Sequence, residues 1–213
     1  MKRLLLSLIA CWFTVFCLAG NPAYEKAMQQ ALGQLAQAGS PEAFGSVANQ
    51  FERIARAETS QWLPWYYAAY AYITQAAMSQ GKEQKDQYLD KAQEFLDQAD
   101  VLQPEESEVV ALQGYWYMIR VSADPGSRGP EMAPKATQIL AKAVQMNPDN
   151  PRALLLLGQM EYGTAQFFNS DTSKACGLIS QSLKKLEQDE PESPLHPSWG
   201  KEMAEAMRGA CEQ

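Results

Sequence analysis

Residues 92–104 read AQEFLDQADVLQP, and residues 136–148 read ATQILAKAVQMNP. In the first, Ala92, Leu96, Ala99 and Pro104 follow at spacings of 4, 3 and 5. Ala136, Leu140, Ala143 and Pro148 repeat those spacings. Small and apolar residues at three and four form one stripe on a helix, and a proline beyond the last ends it. Six residues after each proline a second pattern opens, Val110, Gly114, Tyr117 in one copy and Leu154, Leu157, Gly158, Glu161 in the other. Trp65, Ala68, Ala69 and Tyr72 carry it upstream, behind Val47, Phe51 and Ile54; Ala175, Ile179 and Ser182 form a weaker copy downstream.

Composition agrees with a helical globular chain. Of 213 residues 46% are hydrophobic and 20% charged, with 13 Gly and 12 Pro, which excludes a disordered tail, a collagen-like repeat and a disulfide-stapled miniature domain. The formal net charge of −7 excludes a basic nucleic-acid surface. Prolines 41, 64, 104, 148, 151 and 191 sit at the seams of the periodic runs.

The register resembles the tetratricopeptide repeat (TPR) family, whose motif is W-x2-L-G-x2-Y, then A-x3-F-x2-A, then P. The resemblance covers four helix pairs, units about 22–58, 61–104, 107–148 and 151–188. In the family the small residue of the first helix and the first alanine of the second lie about 12 apart. Here the gap is 14, 23, 22 and 17, counted from Gly33, Ala69, Gly114 and Gly158. The extra residues differ in kind. Residues 73–98 stay helical in composition, broken near Gly81, with 82–86 as a solvated turn. Residues 122–134 are turn formers and read as a loop, and 163–170 as a shorter loop holding two rings. After a Pro-rich connector at 189–198, residues 198–211 read as a capping helix with Ser198 as its N-cap and Trp199, Met203, Met207 and Ala210 on one face. The expected fold is all-α, a right-handed solenoid of about four helical hairpins plus this cap.

Residues 1–20 stand apart. Lys2 and Arg3 precede an uncharged run from Leu4 to Leu18 that ends at Ala19-Gly20, the layout of a secretory signal peptide. Its removal leaves a net charge of −9 and no integral membrane segment. The location implied is periplasmic or secreted; Leu8-Ile9-Ala10-Cys11 keeps open an outer-membrane lipoprotein. Two cysteines then remain, Cys176 and Cys211, read either as a disulfide that pins the cap to unit four or as two packed thiols.

For chemistry the sequence offers little. His196 is the single histidine and lies in the connector; no nucleophile elbow, P-loop or metal-ligand spacing is present, so no catalytic residue, metal or cofactor is expected. The TPR resemblance implies a concave groove, placing Tyr66 and Tyr70, Tyr115 and Met118, and Arg152, Leu155, Gln159 and Tyr162 on its wall. Gln34, Tyr70, Tyr115 and Gln159 stand where some family members carry a carboxylate clamp with asparagines, so that ligand is not expected. The same rings read equally as packing between units. Arg128, between Gly126 and Gly129, is either a partner contact or part of a tolerated surface insertion. The expected function is an exported, non-enzymatic scaffold for a protein or peptide in the cell envelope; the alternatives are a lipid-anchored accessory subunit and an enzyme.

Overall fold

In the computed structural model, residues 21–188 and 190–212 are described. They form nine helices: α1 (Pro22–Leu35), α2 (Pro41–Ala57), α3 (Trp62–Met78), α4 (Lys82–Leu102), α5 (Ser107–Ala123), α6 (Pro125–Met146), α7 (Pro151–Phe167), α8 (Ser173–Leu186) and α9 (Lys201–Cys211). The signal segment expected at 1–20 lies outside the described residues.

Helix starts follow local chemistry. Asn21, Ser40, Asp124 and Asn150 each accept a hydrogen bond from an amide of the first turn, and each is followed by a proline. Such a proline has no N–H to leave unpaired, and the cap satisfies amides that the helix cannot. Gly81, at φ 81°, makes the break between α3 and α4, in the left-handed half of backbone space where glycine carries no penalty.

Consecutive helices pack as hairpins, and α5 also touches α3 on one side and α7 on the other, so the three form an inner layer with α4, α6 and α8 behind. The repeated small residues sit where backbones close in. A Cβ added to Gly114 would lie 2.4 Å from Leu140, and one on Gly158 would meet Ile179 at 2.8 Å and the Ala175 carbonyl at 3.2 Å. Gly33 behaves differently: nothing lies within 4 Å, and in the first hairpin the tight contact is Gly45 against Gln75 of α3. Seams are tied by side chains. Ser107 Oγ donates to the Ala143 carbonyl at 3.0 Å, and Ser182 Oγ to the Pro151 carbonyl at 2.7 Å.

Four local expectations are corrected. Residues 122–134 are not a loop, because α6 starts at Pro125 and runs through Pro130 and Pro134. Residues 82–86 are the first turn of α4, with Lys82 paired to Asp124 and Asp86 to two arginines. Residues 163–167 continue α7, leaving only 168–172 between helices. The last helix begins at Lys201 behind Gly200 (φ 113°), so Ser198 is not its N-cap. Cys176 and Cys211 form a disulfide with Cα atoms 5.8 Å apart, fastening α9 to α8.

Candidate functional site

The inner layer is not an open groove. Residues 195–210 lie on it and occupy most of the wall that the family resemblance implied. Trp199 stacks on Tyr70 at 4.6 Å between ring centroids and on Tyr115 at 6.4 Å, and its Nε1 donates to the Tyr66 hydroxyl at 2.9 Å. Tyr67 Oη donates to the Leu195 carbonyl, Tyr162 Oη donates to the Ala210 carbonyl, and Leu155 packs with Ala204 of α9. Tyr66, Tyr70 and Tyr115 are therefore buried. Burial disfavours the phenolate, raising Tyr66 well above the ordinary phenol value and Tyr115 to about 12.

Beneath this cover runs a buried polar relay. Tyr66 Oη donates to Glu108 Oε2 at 3.1 Å, and Arg152 Nε donates to Glu108 Oε1 at 2.7 Å. Burial pushes the Glu108 carboxyl up, against the pull of Arg152. Arg152 is thus placed inside the fold, not on an accessible wall. His196 is held by its connector, with Nδ1 2.8 Å from Ser193 Oγ, Nε2 3.4 Å from the Glu192 carboxylate and its ring edge-on to Trp62. Both of these polar contacts come from the same short turn.

Met118 and Gln159, the remaining wall residues, line a hollow of about 770 Å³ between α5, α6 and the C-terminal half of α7. Val121, Pro125, Gly126, Gly129, Pro130, Ala133, Pro134, Met160, Gly163, Phe167 and Phe168 complete it, with three hydroxyl residues. Those hydroxyls are spent on their own helices: Ser122 Oγ donates to the Ile119 carbonyl, Thr137 Oγ1 to Ala133 and Thr164 Oγ1 to Met160. The lining is thereby apolar, with the Gln159 amide as its polar exception. Phe167 and Phe168 are 80% and 72% exposed at the rim, a large apolar pair left to solvent. The hollow falls within the roughly 300–1,000 Å³ of small-molecule sites.

Most of these residues were not singled out from sequence. The 122–134 run read as turn formers, yet its prolines, glycines and Ala133 form one apolar helix face. Arg128 points elsewhere, donating from Nη1 and Nη2 to Asp86 at 2.7 and 2.6 Å, so it is an internal tie and not a loop contact. Among the described residues no three His, Cys, Asp or Glu side chains gather as a metal site, and no helix is long and apolar enough to cross a membrane.

No protein-family model and no curated protein matches the chain. Among solved structures it is similar to the HusA haemophore from Porphyromonas gingivalis, with 26% identity and a TM-score of 0.80 over 89% of this chain and 92% of that one. A thermophilic TPR protein from Thermus thermophilus aligns at 16% identity and a TM-score of 0.58, covering 88% and 89%. The fold is TPR-like. Within this TPR-like stack the surfaces differ: the inner wall holds the chain's own C-terminal segment, and the apolar hollow lies beside it, open to solvent.

Proposed function

We propose that this chain is a non-enzymatic carrier that holds a flat, apolar ligand of the haem and porphyrin class in the α5–α6–α7 hollow, outside the cytoplasm. The hollow carries the reading: it has the volume for a macrocycle, thioethers at Met118 and Met160, and two exposed rings at its mouth. Aromatic faces and polarisable sulfur suit a large π-system. The likeness to a haemophore supports the ligand class. Imidazole, thiolate and phenol are absent from the lining, so contact with the ring face would supply most of the affinity, and the thioethers of Met118 and Met160 are the groups there that could donate to an iron. The extracellular setting is supported by the leader-like residues 1–20 and by the Cys176–Cys211 bond.

The test is a titration of the mature protein with haemin and with a metal-free porphyrin, followed by the Soret band and tryptophan quenching. Both ligands are expected to bind. A Cβ on Gly129 or Gly163 meets no atom within 4 Å, so Gly129→Leu with Gly163→Leu fills the hollow without disturbing the core. That variant is expected to lose at least about tenfold in affinity. Absence of binding by the wild type refutes the carrier reading; undiminished binding by the filled variant moves the ligand elsewhere.

A second reading, capture of a protein or peptide of the envelope on the inner wall, is favoured by the way that wall already holds the extended segment around Leu195 and Trp199. It requires that segment to leave, so a Cys176→Ser/Cys211→Ser variant should gain binding to proline- and tryptophan-containing peptides. Equal lack of binding before and after the substitution would sink it.

A further inference from the structure

The wall of the hollow made by α6 is unusual in what holds it. Residues 125–135 make about three turns of helix, and none of their side chains is buried; the core contacts of α6 begin at Ala136 and continue with Leu140 and Ala143. The same turns contain Pro130 and Pro134 and Gly126 and Gly129, residues that weaken a helix interior by removing amide donors or by raising its conformational entropy cost. Pro125, at the first helical position, carries no such cost. Neither apolar packing nor helix propensity therefore keeps this segment in place.

Charge does. At its start Asp124 accepts from the Ser127 amide and from Lys82 Nζ, the latter at 2.6 Å. At its end Lys135 Nζ sits 4.8 Å from the centroid of the Tyr117 ring. Between them lies the strongest tie. Arg128, flanked in sequence by the two glycines that line the hollow, turns to the opposite side and makes a two-pronged contact with Asp86 of α4. Arg120 of α5 donates to the same carboxylate at 2.9 Å and to Asp90 at 2.6 Å, while Arg128 Nη1 also donates to the Arg120 carbonyl at 3.2 Å. The Asp86, Arg120 and Arg128 side chains are each about one-fifth exposed, so this pairing is shielded from bulk water far more than a surface ion pair.

We propose that Asp86 is a positioning residue for ligand binding: by joining Arg128 to Arg120 it fixes the unpacked turns of α6 as one wall of the hollow, and so sets affinity for an apolar ligand it never touches. The inference rests on the carrier reading above for its ligand and on the geometry of α6 for its mechanism. It makes capture of an apolar molecule depend on a cluster of charges outside the site.

The experiment compares wild type, Asp86→Asn, Asp86→Glu and Arg128→Gln in the mature, oxidised protein. Haemin affinity is measured by titration, and amide hydrogen exchange is followed over 125–135 and 136–146. Asp86→Asn and Arg128→Gln are expected to weaken haemin binding about tenfold, in the range seen for residues that act on a site through their neighbours. They should speed exchange in 125–135, leave 136–146 protected and lower the melting temperature by only a few degrees. Asp86→Glu keeps the charge and should recover most of the affinity, which a purely steric role would not allow. Wild-type binding with undiminished affinity in Asp86→Asn refutes the inference alone. A wild type that takes up no haemin refutes the carrier reading and the ligand half of this inference with it; unchanged exchange in 125–135 then refutes the other half.

Discussion

At the scale of single residues, the glycines separate packing from ligand space. Gly114 and Gly158 stand where two helices touch, and each is denied a side chain by a named neighbour, Leu140 or Ile179. Gly126, Gly129 and Gly163 have open space instead. Opposite responses to the same substitution follow. Gly114→Ala should destabilise the protein by about 1–3 kcal/mol, since a methyl group placed against Leu140 forces that side chain from its seat. Gly129→Ala should stabilise it by roughly 0.5–1 kcal/mol through helix propensity alone. Denaturant unfolding of the two variants checks both, and a Gly114→Ala protein as stable as wild type would contradict the close approach of α5 and α6. The pattern in the sequence picks out Gly114 and Gly158 correctly but also Gly33, because spacing marks a position on a helix and not whether a neighbour arrives there. Tyr66, Tyr70 and Tyr115 share that ambiguity. Their cover, Trp199, lies 133 residues beyond Tyr66, a distance over which no local pattern carries information.

At the scale of elements, α6 is where composition misleads. Three prolines and two glycines between 125 and 134 read as a loop, and local propensity would make them one. The helix stands because Asp124 caps it and Asp86, 42 residues upstream of Arg128, draws it to α4. Those ties titrate. The Arg128 hydrogen bond, outweighing the effect of burial and helped by Arg120, holds the Asp86 carboxyl below the ordinary carboxylate range, and Lys82 does the same for Asp124. A carboxyl with a folded value below its unfolded one stabilises the fold fully above the unfolded value, about 3.9, and loses that contribution as pH falls through the folded value. The stability difference between wild type and Asp86→Asn should accordingly be level above about pH 5, at about 1–2 kcal/mol, and should close toward about pH 2. Thermal melts across that interval measure it. A gap that persists undiminished in acid would mean that shape, and not charge, distinguishes the two side chains.

At the scale of the molecule, a stack of hairpins leaves an apolar face wherever it stops, and the last unit must be covered. The chain meets this need by turning back: the connector crosses the inner layer, stacks Trp199 on Tyr70 and Tyr115, and ends in α9, whose Ala204 joins Leu155 and Leu183. The disulfide closes this return path at a sequence separation of 35. Closing a loop of that length restricts the unfolded chain by roughly 3–4 kcal/mol on the chain-entropy account, a large part of the stability of an ordinary domain. Cys176→Ser with Cys211→Ser should therefore lower the unfolding free energy by about that amount and expose the chain beyond Leu186 to protease. Trp199 should leave its stack on Tyr70, shifting tryptophan emission toward the red. Haemin uptake should survive, because the hollow between α5, α6 and α7 draws no wall from the connector or α9. If the serine variant resists protease as well as the oxidised protein does, packing at Ala204, Met203 and Met207 holds the return path by itself. If it folds but releases haemin, the covered wall and the hollow are one site, and the carrier depends on its own tail.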